Sequence, residues 1–80
     1  MKLAELEPVV LTRDMPEKGL MAGDIGTVVQ VYCGDEVEVE FIRASGETQA
    51  LLTLSFGDIR KVDSEDMITT RRLAEVKLPY

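Results

Sequence analysis

Few residues in this chain could do chemistry. Among its 80 residues there is no histidine and one cysteine, Cys33. Histidine is the side chain that titrates near neutral pH, so its absence removes the usual general acid–base group. Cys33 ends a β-branched run beside Gly34-Asp35-Glu36. Neighbouring carboxylates raise a thiol pKa, and no lysine or histidine flanks the position to lower it. A small apolar filler explains it without any reaction. One cysteine cannot close an intramolecular disulfide, and without histidine it cannot complete an ordinary structural zinc site. Glu36, Glu38 and Glu40 fall on alternate residues, so a strand would space them about 7 Å apart on one face. Hard cations need converging oxygens, which a flat ladder does not supply, so a solvated face is the simpler expectation. There is no Gly-x-Ser-x-Gly elbow, no phosphate-binding glycine loop and no Cys-x-x-Cys. Arg71-Arg72 is an isolated basic pair, too little for a nucleic-acid surface. These residues predict a domain that is not an enzyme and takes no cofactor, metal or small-molecule substrate.

Composition narrows the class further. Hydrophobic residues make up 45% and charged residues 30%, a globular balance. Eighty residues bury one core. A small core with neither disulfide nor metal is commonly supported by oligomerisation, so if this core needs support, self-association is what remains, and the expected partner is another protein or a second copy of the chain. The four aromatic residues are Tyr32, Phe41, Phe56 and Tyr80, leaving Val, Leu and Ile to fill the core. The net charge of −6 disfavours phosphate backbones and anionic lipid. No apolar run approaches the roughly 20 residues of a membrane span. Glu5 and Glu7 interrupt any signal-peptide core, and with a free thiol this points to the cytoplasm.

The elements that must position these residues read as strands. Val9-Val10-Leu11-Thr12 follows Pro8, which suits a strand start. Residues 13–24, punctuated by Pro16, Gly19 and Gly23, form a long excursion. Residues 25–33 are β-branched, with Gly26 marking a bulge or bend. After a turn at Gly34-Asp35, residues 36–42 alternate strictly, Val37, Val39 and Phe41 opposing the glutamates. Residues 47–54 form the next strand, with Ala50, Leu52 and Leu54 inward. Residues 55–58 suggest a 3₁₀ turn, and 59–62 a last strand. This order predicts an all-β fold, a small, partly open, five-stranded SH3-like barrel over residues 1–62. An OB-fold would want a helix between its third and fourth strands, and the tight turn leaves no room for one.

Residues 63–80 form a C-terminal extension. Ser64 among acids resembles a helix start. Thr69, Thr70 and Val76 equally suit extended structure, so the residues do not separate a short helix, an added strand and a loose tail. Strict alternation in residues 25–33 turns Thr27, Val29 and Val31 inward and Val28, Gln30 and Tyr32 outward. Val28 and Tyr32, with Ile42 and Leu51, then make an apolar interaction surface. The alternative is that Met67, Ile68 or Leu73 covers it.

Leu11-Thr12-Arg13-Asp14-Met15-Pro16 and Gly23-Asp24-Ile25-Gly26-Thr27-Val28, with Glu38-Val39-Glu40-Phe41 and Ala50-Leu51-Leu52-Thr53-Leu54, resemble a family of short bacterial proteins. It is catalogued as domain of unknown function 4926. The resemblance covers residues 3–62. It implies an SH3-like barrel similar to those of the nitrile hydratase β subunit and of small photosynthetic electron-transport accessory proteins. It implies no activity and no functional residues. Gly-Asp-x-Gly-x-Val is also similar to the KOW motif of translation and transcription factors. Three functions follow as expectations: a protein-interaction module or accessory subunit, an RNA- or ribosome-associated KOW-like module, and an antitoxin-like regulator that binds the product of a neighbouring gene.

Overall fold

The computed structural model describes residues 1–73. Five strands form one sheet: β1 (Pro8–Leu11), β2 (Ile25–Val31), β3 (Glu36–Ile42), β4 (Thr48–Ser55) and β5 (Ile59–Lys61). Their spatial order is β4-β3-β2-β1-β5, every neighbouring pair is antiparallel, and the sheet does not close. This is the small, partly open, SH3-like barrel that the strand order predicts. The only helical segments among the described residues are two 3₁₀ turns, Pro16–Lys18 and Phe56–Asp58. None is long and apolar enough to cross a membrane.

The alternation of β3 sets the core. Val37, Val39 and Phe41 are buried, and β4 places Leu54, Leu52 and Ala50 opposite them on the same face. Leu3, Val9, Leu11, Val28, Ile59, Met15 and Leu20 complete its buried part. Gly26 faces this core where β2 passes from β3 to β1. A Cβ there would meet Val39 Cγ1 at 2.5 Å and Phe41 Cε1 at 2.9 Å, so only glycine lets the sheet fold this closely.

The alternation predicted for β2 fails at one point. Val28 pairs with Val39 and Gln30 pairs with Glu38, so a bulge at Val29 inserts one extra residue. Gly26 and Val28 therefore turn to the core, Val28 fully buried, while Val31, opposite Val37 at the end of the strand, is 41% exposed. Thr27, opposite Glu40, faces outward.

The long excursion is a built loop. Met15 and Leu20 bridge across it, and both enter the core. Asp14 accepts the Ala22 N–H at 2.8 Å, and Arg13 pairs with Asp58 at 2.8 Å. Asp58 also receives the Ser55 N–H and hydroxyl, closing the second 3₁₀ turn onto β4. Over residues 63–73 the extension forms neither helix nor strand. It makes one turn at Ser64-Glu65 and continues as irregular chain, while Val76, Leu78 and Tyr80 lie outside the described residues.

Candidate interaction surface

The structure separates the four residues predicted as an interaction surface. Val28 belongs to the core, because the bulge reverses its side. Tyr32 is half-buried at the turn end of β2, where its N–H bonds to the Glu36 carbonyl at 3.0 Å. Partial desolvation and the nearby Glu38 carboxylate push its phenol pKa up. Ile42 and Leu51 stand at the other end of the sheet, 51% and 52% exposed. Neither Tyr32 nor Val28 joins them.

A residue the sequence reading did not single out does join them. On the outer face Glu40 lies between Thr27 on β2 and Leu51 on β4. Two residues before Thr27 on the same side of β2 stands Ile25, which pairs with Val10 on β1. Ile25 is 38% exposed and lines the same groove as Ile42. Ile25, Ile42 and Leu51 thus form an apolar triangle around Glu40, with Glu38 and Glu36 continuing the acidic row beyond it. Glu40 is anchored by the Thr48 hydroxyl, which donates to it at 2.6 Å. The signal for Ile25 was present in Gly26: a glycine facing the core forces its neighbour outward.

The groove beside this triangle has a volume of about 950 Å³. One wall is the loop from Leu20 to Asp24, and the opposing wall includes Arg43 to Ser45. The third contributor is the extension, from Met67 to Arg71 and Leu73. Gln49 ties the region together by donating to the Lys18 carbonyl at 3.0 Å and accepting from Arg43 Nε at 2.8 Å.

Two guanidinium forks hold the extension. Arg60 donates from both terminal nitrogens to the Asp66 carboxylate, each at 2.8 Å. Arg71 donates Nε to Asp24 Oδ1 at 2.8 Å and Nη2 to Oδ2 at 2.6 Å, and it also reaches the Gly19 carbonyl. Burial pushes the Asp24 carboxyl up, but the Arg71 bonds, the Met21 N–H and the Arg71 charge outweigh it and hold it below the ordinary carboxylate range. Between the forks, Met67 and Ile68 remain 83% and 70% exposed. They do not cover Val28 or Tyr32. They border a cleft of about 200 Å³ beside Val10, which is buried outside the main core cluster.

Among the described residues no group of three or more His, Cys, Asp or Glu side chains gathers as metal ligands would. Cys33 is exposed in the β2–β3 turn.

A family model described as Domain of unknown function (DUF4926) matches residues 5–61. The chain belongs to that family. No curated protein and no solved structure matches it. The DUF4926 match ends where β5 ends, so Asp24 lies inside it and Arg71 outside. Within it, the two motifs that carried the resemblance have architectural roles. Asp14 and Asp24 hold the loop, Pro16 opens the first 3₁₀ turn, and Gly26 admits Val39 and Phe41.

Proposed function

We propose that the protein is a non-catalytic protein-interaction module or accessory subunit whose partner docks on the outer face of β2, β3 and β4. The observation that carries this reading is the exposed triangle of Ile25, Ile42 and Leu51 beside the groove. Scattered exposed apolar residues are ordinary, whereas three clustered against an acidic row suit a partner presenting apolar side chains flanked by lysine or arginine. A bacterial, cytoplasmic setting is part of this proposal, in keeping with the resemblance to short bacterial proteins. The architectural explanation of Gly-Asp-x-Gly-x-Val, together with the acidic face, weighs against the RNA-associated reading. An antitoxin-like regulator would be a special case of the same interaction module.

The test is co-purification from the native host with the unaltered chain, Ile42→Lys and a control change at Glu65. A partner retained by the Glu65 variant, lost with Ile42→Lys and weakened by salt is expected. A partner indifferent to Ile42→Lys, or single-stranded RNA retained at low salt with no protein partner, would overturn the reading.

A further inference from the structure

The two edges of the sheet are built differently. β5 has three residues, and two of them, Arg60 and Lys61, are charged and exposed. Arg60 also carries the fork that folds the extension back at Asp66. Short length, charge and a covering segment are the devices by which proteins keep an edge from pairing. Among the described residues β4 shows little of this: only its first residues are guarded, by a bulge at Gln49, whose side chain donates to the Lys18 carbonyl. Its eight residues, Thr48 to Ser55, include no charged residue, no proline and no glycine. Apart from its pairing with β3, no backbone–backbone hydrogen bond reaches it from any described loop, and only its last residue, Ser55, gives its N–H to a side chain, that of Asp58. In an antiparallel ladder alternate residues turn both backbone groups away from the partner strand, so about two or three residues in the regular stretch from Ala50 to Leu54 offer unpaired N–H and C=O groups. Leu51 is exposed on its outer face, and Leu52 is only half-buried on its inner face.

We propose that the free edge of β4 pairs antiparallel with β4 of a second copy of this chain, joining two five-stranded sheets into one. A second copy is the occupant that fits because the strand has no charge to select a charged peptide. Antiparallel self-pairing also uses the same strand twice and closes on a two-fold axis. The net charge of −6 does not oppose it. The acidic row lies one strand in from the edge, so the two rows stand three strand spacings apart, about 14 Å. That exceeds the screening length of about 8 Å at physiological salt. The inference stands on the edge of β4 and is independent of the partner proposed for the groove, although pairing would set two apolar triangles in one surface.

The experiment is the mass of the full chain by light scattering over a micromolar concentration series, with hydrogen exchange on the same samples. Twice the 8.9 kDa chain mass is expected at the upper end, falling on dilution, with β4 amides protected as concentration rises. Leu51→Lys and Thr53→Lys lie on the solvated face, so each is expected to give a single folded chain by circular dichroism. Ile42→Lys is expected to remain a dimer, which separates failure of this inference from failure of the groove reading. A single chain at every concentration, assembly beyond two copies, or β4 amides insensitive to concentration would overturn it.

Discussion

At the scale of single residues, Gly26 is the most constrained position. Alanine there would overlap Val39 and Phe41, and overpacking a core costs about 1–3 kcal/mol. Urea unfolding of Gly26→Ala is expected to show a loss of that size, whereas Gly34→Ala meets no neighbour within 4 Å and bears only its positive φ of 83°. The inner and outer sets of β3 were legible in the sequence because valines and glutamates alternate without interruption. Val28 was not, because a bulge leaves no mark in hydrophobicity: Val28, Val29 and Val31 are all valine, and either side of the strand accepts them. Ile25 was missed although Gly26 beside it carried the signal, because strict alternation without the bulge turns it inward.

At the scale of elements, the strands were legible to within about two residues, as expected where β-branched runs end at glycine turns. The structure of the 13–24 loop was not, because it rests on specific bonds from Asp14, Arg13 and Asp58 and not on any periodic pattern. The extension was ambiguous for a related reason. Its course is fixed by Arg60–Asp66 and Arg71–Asp24, pairs 6 and 47 residues apart that no local propensity reports. Arg71→Gln is expected to release residues 67–72 while leaving the barrel intact, since exposed or half-exposed pairs contribute on the order of 1 kcal/mol or less. The backbone ¹⁵N heteronuclear NOE checks this: it is expected to be high at residues 67–72 in the unaltered chain and to fall in the variant and in high salt. An unchanged NOE in Arg71→Gln would show that the fork does not hold the segment.

At the scale of the whole molecule, three aspartates tie distant parts of the chain together: Asp24 to the extension, Asp58 to the loop and Asp66 to β5. All three carboxyls are held below their ordinary value of 3.8, Asp66 at about 2. The folded state binds their protons less readily than the unfolded chain, so their contribution is complete above about pH 4 and is lost as pH falls toward 2. The urea midpoint is expected to drop across that window, and the drop to be shallower in Asp66→Asn. A curve of equal steepness in that variant would assign the acid loss to other carboxylates.

The guarded edge at β5 has a consequence for how large an assembly this sheet can make. A sheet with two open edges can add copies at both ends and grow without limit. Here the short, charged β5 removes one end from use, leaving a valence of one. Joining two copies through β4 consumes that valence on each and exposes only two β5 edges, so growth stops at the pair. Replacing Arg60 and Lys61 by uncharged residues would raise the valence to two, and the outcome to watch for is filament formation.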